Sequence, residues 1–208
     1  MSVFNGMDRI SEGCPCPWDA LPYFRTYRIG AYLAHSIGNE SHPGHVKLLE
    51  VLKSVPIGSN VLLSFGEIDC RRHVVRQTEI QKKDIESIAQ ECACSYFRSV
   101  LKVKNIGYNP IVWAAVPTFN VDNLNFDEKD EHGYYGTYVE RNKATSVFNA
   151  TLKKLCTESS LPFVSLERYL MDDKHRTMDA LYMDPCHLSS KCIPLIIGEL
   201  EKIEQTLC

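Results

Sequence analysis

Asn60-Val-Leu-Leu-Ser-Phe-Gly66 is a short apolar run that closes on a glycine, and Ile111-Val-Trp-Ala-Ala-Val116 is a second that stops at Pro117. Runs of this length with β-branched residues and no polar alternation suit strands buried on both faces, as in a parallel sheet. Between them Ile85, Ile88, Ala89, Cys92, Tyr96, Val100 and Val103 recur at steps of three and four, the spacing of one face of a helix. A strand, a long helix and a strand follow one another, which is the crossover a parallel pair requires.

The pattern extends in both directions. Downstream, Ala144, Val147, Phe148, Thr151, Leu152 and Leu155 repeat the helical spacing and Pro162-Phe-Val-Ser-Leu166 supplies a further short strand. Ser189 and Ser190 are placed to cap a last helix whose apolar face runs through Ile193, Ile196, Ile197, Leu200, Ile203 and Leu207. Upstream, Val46 to Leu52 predicts a helix and Phe24 to Ile29 an edge strand, while the stretch from Met1 to Pro22 is irregular. Alternating strands and helices predict an α/β fold with a mostly parallel sheet. At 208 residues, without an internal repeat or a separating linker, the whole chain 1–208 is expected to form one domain.

Composition narrows the function classes. Hydrophobic residues make up 44% and charged residues 24%, values typical of an ordinary globular chain. Twenty-three Lys and Arg against 26 Asp and Glu give a formal charge of −3, so no basic excess invites a phosphate backbone and no nucleic acid partner is expected. No apolar run approaches the 18 or so residues of a membrane span, and the polar start lacks the regions of a signal peptide. Nine cysteines is an odd number in a chain large enough to do without cross-links. Reduced thiols and a cytoplasmic location are therefore expected, and the sequons at Asn39 and Asn149 carry little weight.

In an open parallel sheet the reactive crevice lies beyond the carboxyl ends of the strands. Three segments fall there: Gly66-Glu-Ile-Asp-Cys-Arg-Arg-His73, Pro117-Thr-Phe119 with the loop to Tyr138, and Asp184-Pro-Cys-His187. The Asp-x-x-His spacing lets a carboxylate reach the imidazole Nδ1, fix its tautomer and leave Nε2 facing the crevice. That makes His187 a candidate general base and Asp184 its orienting partner. Glu67, Asp69, Arg71 and His73 are candidates for contact with a substrate, and Tyr134, Tyr135 and Tyr138 can overhang the crevice beside Arg141.

Gly66-Glu-Ile-Asp-Cys-Arg71, Pro117, the segment Gly136 to Asn149 with Glu140-Arg-Asn142, and Asp184-Pro-Cys-His-Leu-Ser189 together resemble the SGNH (GDSL-type) hydrolase superfamily. The likeness is to a bacterial subgroup with Gly-Glu-Ile-Asp in its third block, and it spans roughly residues 20 to 205 by the alternation of elements. The resemblance implies a flavodoxin-like three-layer α/β/α sandwich and hydrolysis of esters, commonly acyl groups on sugars or lipids. A small-molecule ester or an acylated carbohydrate would then be the partner, and no cofactor is implied. In that family a serine attacks the carbonyl, His187 and Asp184 match the base and its partner, and Gly66 matches the glycine whose N–H is an oxyanion donor. Asp69 matches an aspartate that is usually structural.

Two positions depart from the family pattern. Ile68 stands where the family has an asparagine that donates to the oxyanion, a loss worth about 100- to 1,000-fold in rate unless Arg71 or His73 substitutes for it. No Gly-Asp-Ser occurs in the 208 residues, so the nucleophile is unknown. Ser2-Val-Phe-Asn-Gly6 resembles the stretch just past that serine, from which the chain is expected to begin downstream of the block and to lack the first central strand of a 2-1-3-4-5 sheet. Ser2 is terminal, and Ser36, beside His35, reads as a helix-end serine. Cys70 and Cys186 lie in crevice segments but read as spectator thiols.

Metal binding is not expected. Cys14-Pro-Cys16 and Cys92-Ala-Cys94 have the wrong spacing for zinc knuckles, and His42-Pro-Gly-His45 reads as a solvated turn. The acidic run Asp127 to Glu131 reads as a solvated loop, and no glycine-rich phosphate loop is present. Two classes of function remain open: an ester hydrolase, incomplete or working with an unusual nucleophile, and a non-catalytic member of the same fold that binds a carbohydrate or a protein.

Overall fold

The structure is a computed structural model, and it describes residues 26–123, 125, 130, 133–174 and 176–207. The expectations placed on Met1 to Arg25, on most of the acidic run and on Cys14, Cys16 and Ser2 lie outside the described residues.

Three strands form a parallel sheet in the order β1 (Asn60–Ser64), β2 (Asn109–Trp113) and β3 (Phe163–Val164). Leu62 pairs with Ile111 and Leu63 with Val112, while Val112 pairs with Phe163. Seven helices accompany the strands among the described residues: α1 (Ala34–Ile37), α2 (Pro43–Leu52), α3 (Val74–Gln81), α4 (Ile85–Asn105), α5 (Tyr138–Glu158), α6 (Glu167–Leu170) and α7 (Ile193–Leu207). A π-type turn, Asp69–His73, joins the loop after β1 to α3. A small antiparallel pair, β4 (Tyr182–Asp184) and β5 (His187–Leu188), precedes α7.

Successive side chains of a strand face opposite ways, and β2 shows the consequence. Val112 packs with Leu63, Tyr96, Val100, Phe148 and Leu152, the buried faces of α4 and α5. Its neighbours Ile111 and Trp113 pack on the other side with Leu170, Leu188 and Ile196, from α6, β5 and α7. Helices therefore cover both faces of a parallel sheet, which is an α/β arrangement. Phe148 and Leu152 are fully buried, so truncating either to Ala would cost about 2–5 kcal/mol.

The helix ends have identifiable causes. Asp84 accepts from the Ser87 N–H at 2.6 Å and starts α4. Thr137 and Glu140 form a capping box at the start of α5, each side chain accepting from the other's backbone N–H. That helix accordingly begins six residues before Ala144, the first residue of its apolar repeat.

Two expectations differ from what is observed. Residues 26–29 form no strand, and among the described residues β1 pairs only with β2. Ile29 still packs on the core, so its apolar character serves burial while its backbone joins no ladder. Ser189 does stand at the N-cap of the turn Ser190–Cys192 that leads into α7, but its side chain makes no capping bond and its buried Oγ has no partner. Among the described residues no helix is long and apolar enough to cross a membrane.

Candidate functional site

The loops that follow β1 and β2 and the β4–β5 turn meet at the carboxyl end of the sheet. His187 opens β5 and Asp184 closes β4, a register that puts the two residues opposite each other. The Nδ1 atom of His187 lies 2.9 Å from Oδ1 and 2.8 Å from Oδ2 of Asp184. Because the carboxylate accepts, Nδ1 carries the proton and the neutral ring keeps its lone pair on Nε2. Asp184 Oδ1 also accepts from the Cys186 N–H at 2.7 Å, which fixes the turn. Burial works to raise the Asp184 carboxyl, but the bonds from His187 and Cys186 outweigh it and hold the group below the usual carboxylate range.

Gly66 ends the β1 loop with φ +105°, a left-handed conformation open to glycine. A Cβ here would lie 2.4 Å from Cε1 and 2.5 Å from Cζ of the buried Phe148. The Gly66 carbonyl accepts from the Cys70 N–H at 2.9 Å, starting the π-type turn. Among the described residues no acceptor takes the Gly66 N–H.

The turn sorts its candidates by direction. Glu67 and Arg71 pair at 3.3 Å. Burial raises the Glu67 carboxyl against the pull of Arg71, and the carboxylate in turn keeps the Arg71 guanidinium charged despite its burial. Arg71 lies over the Tyr134 ring at 5.5 Å and faces the Cys186 thiol, while Nη1 is the nitrogen paired with Glu67. His73, half-buried, has its imidazole pKa lowered by burial against the opposing charge of Asp69.

Asp69 serves the fold. It is 1% exposed, and its carboxylate accepts from the Ala34 N–H at 2.8 Å, the His35 N–H at 3.2 Å and the Cys92 thiol at 3.3 Å. These bonds satisfy the free N–H groups at the start of α1, a task a carboxylate performs well.

Of the three tyrosines, only Tyr134 reaches the β4–β5 turn. Its hydroxyl donates to the Pro185 carbonyl and lies 3.9 Å from Cys186 Sγ, and burial pushes its pKa well up. Tyr135 bonds instead to Glu79 and Tyr138 to Thr177. Arg141, fully buried, lies against the same Tyr134 ring at 5.0 Å, donates to the Gly136 carbonyl at 2.7 Å and pairs with Asp122 at 3.1 Å. It pins the loop between β2 and α5 from beneath. The sequence set Arg141 beside the tyrosines without assigning its task, because its partners lie 5 to 22 positions away.

Burial raises the thiols of Cys70 and Cys186, so neither is poised as a thiolate. Ser36 belongs to α1, whose N-terminus Asp69 holds, and among the described residues no serine is hydrogen-bonded to His187. His45 is buried rather than solvated, and its partner in the motif, His42, uses Nδ1 to accept from the Gly44 N–H at 3.1 Å. Among the described residues no three His, Cys, Asp or Glu side chains are grouped to hold a metal ion. No protein-family model and no curated protein matches the chain.

Proposed function

We propose that this chain is an ester hydrolase of the SGNH (GDSL) kind, built on a flavodoxin-like sandwich, acting on a small ester or an acylated carbohydrate. The observation that carries the proposal is the His187 imidazole held on both oxygens of Asp184 at the carboxyl end of a parallel sheet, beside the Gly66 to Arg71 loop. The observed order of three parallel strands with helices on both faces is compatible with that sandwich. A reducing, cytoplasmic setting belongs to the same proposal.

In this assignment His187 Nε2 accepts the proton of the attacking hydroxyl as its oxygen bonds to the acyl carbon. The carbonyl π pair moves onto oxygen, where the Gly66 N–H receives it and the charged Arg71 guanidinium stabilises it. Collapse of the tetrahedral species expels the alcohol, which takes that proton from His187 and leaves the acyl group on the attacking oxygen; water, giving its proton to the same Nε2, then attacks the acyl carbon, and collapse releases the acid and returns the proton to the attacking oxygen. Asp184 keeps the ring in the right tautomer and stabilises the imidazolium. Arg71 fills the place left by Ile68 better than His73 does, because it keeps its charge despite burial and faces Cys186, the neighbour of His187. No residue is assigned as the attacking hydroxyl.

The second reading, a non-catalytic binder on the same fold, is favoured by the absence of Gly-Asp-Ser from the sequence and by the isoleucine at 68. Hydrolysis of p-nitrophenyl acetate and of an acetylated sugar separates the two. Turnover that falls in His187→Ala and in Arg71→Met supports the hydrolase, whereas no turnover above the His187→Ala control supports the binder.

A further inference from the structure

Tyr134 lies where the three crevice loops meet. It belongs to the loop between β2 and α5, and two guanidinium groups lie over its ring, Arg71 from the turn after β1 at 5.5 Å and Arg141 from α5 at 5.0 Å. Each cation is balanced elsewhere, Arg71 by Glu67 at 3.3 Å and Arg141 by Asp122 at 3.1 Å, so two cations approach one ring without an unpaired charge. The Tyr134 hydroxyl donates to the Pro185 carbonyl in the β4–β5 turn. The residue is 2% exposed, and because burial pushes its pKa well up, the phenol keeps its proton and remains a donor at ordinary pH.

The choice of acceptor has a mechanical consequence. The Pro185 carbonyl and the Cys186 N–H belong to one peptide group, trans and planar, so they point opposite ways from a single rigid plate. At the far end of that plate the Cys186 N–H donates to Asp184 Oδ1 at 2.7 Å, and the same oxygen lies 2.9 Å from His187 Nδ1. A rotation of the plate that breaks one of its bonds therefore disturbs the other. The proline ring fixes φ at 185, which leaves rotation about the Pro185 ψ and the Cys186 φ as the motion that the Tyr134 bond opposes.

We propose that Tyr134 is a positioning residue for His187: through the Pro185–Cys186 peptide its hydroxyl holds the Asp184 carboxylate in register with the imidazole, and its ring ties that turn to Arg71. The consequence for turnover rests on the hydrolase reading of the crevice, whereas the positioning itself does not. Tyr134 acts through Asp184 and His187 and is assigned no contact with the reacting atoms.

Tyr134→Phe keeps the ring and removes the hydroxyl, and two readouts are taken on it. By NMR, exchange of the Cys186 amide should speed up roughly five- to tenfold, the equivalent of about one hydrogen bond, and the His187 Nδ1–H resonance should move. In steady-state hydrolysis of p-nitrophenyl acetate, kcat should fall about 10- to 100-fold at unchanged KM, the cost of a misplaced reacting group. Tyr135→Phe, which removes the neighbouring bond to Glu79, is the control and should change neither readout. Unmoved Cys186 and His187 signals in a folded Tyr134→Phe would overturn the proposal whatever the activity, and so would an unchanged kcat where the parent turns over. A parent without turnover above His187→Ala removes the hydrolase reading alone, and the NMR readout then decides the positioning by itself. If circular dichroism shows that Tyr134→Phe does not fold, the parent decides: a Tyr134 hydroxyl proton that exchanges slowly with water supports the bond, and one that exchanges too fast to observe overturns it.

Discussion

Replacing Gly66 with alanine tests whether backbone conformation and packing together fix the mouth of the crevice. At φ +105° an L-residue pays about 1–2 kcal/mol in backbone strain. The added methyl would lie 2.4 Å from Phe148 Cε1, and Phe148 is fully buried between α4 and the sheet, so its ring has little room to retreat. Forcing one extra carbon into a packed core costs about 1–3 kcal/mol. The two effects together predict a loss of roughly 2–5 kcal/mol, which lowers a urea midpoint by about 1–2 M at typical slopes. Equilibrium urea unfolding followed by tryptophan fluorescence measures it. A double variant, Gly66→Ala with Phe148→Leu, isolates the clash: relief of the contact makes the pair less destabilised than the sum of its parts. Stability of Gly66→Ala within about 0.5 kcal/mol of the parent, or strict additivity of the pair, would refute the reasoning.

Asp69→Ala leaves the Ala34 and His35 N–H groups without their acceptor and should cost about 2–5 kcal/mol by thermal or urea melting; an unchanged stability would mean the carboxylate serves the crevice instead. The Asp184 carboxyl is held below its ordinary value, so its contribution is present above about pH 4 and is lost as pH falls through the folded value. Asp184→Asn should therefore flatten the acid limb of the stability profile, by a small amount because the side chain is 40% exposed. His73 runs through a different window: burial lowers its pKa, so its neutral form favours folding in full above about pH 6.5 and that support is lost as pH falls through the folded value. His73→Gln should remove the part of the stability decline between pH 7 and 5 that belongs to this ring, read by urea unfolding at each pH.

Much of the core was legible because its signals are local. The apolar runs at 60 and 111 and the repeats along 85–103 and 144–155 fall where β1, β2, α4 and α5 stand. The early start of α5 was also written in the sequence, in Thr137 and Glu140, but a capping box lies outside the apolar repeat and periodicity does not register it. Phe24 to Ile29 shows the opposite failure: the sequence predicts an edge strand, yet ladder pairing depends on a neighbour that no local pattern can supply, and residues 26–29 join none.

At the site, the Asp184 and His187 spacing was readable because three residues of a turn settle the contact. The divergent fates of Glu67, Asp69, Arg71 and His73 were not. They follow from a π-type turn, whose unusual pitch sends Asp69 inward to α1 and Arg71 toward Tyr134 and Cys186. His45 was hidden for a related reason: its Ile37 and Ser99 partners come from different helices, and only the tertiary fold buries it.

The central claim rests on His187 as a base oriented by Asp184, and steady-state hydrolysis of p-nitrophenyl acetate by the parent chain and by His187→Ala at matched concentration tests it most directly. General acid–base catalysis is worth about 10²- to 10⁴-fold, so the account predicts that the variant loses at least a hundredfold in kcat/KM while its circular dichroism is unchanged. Equal rates in the two proteins would contradict it.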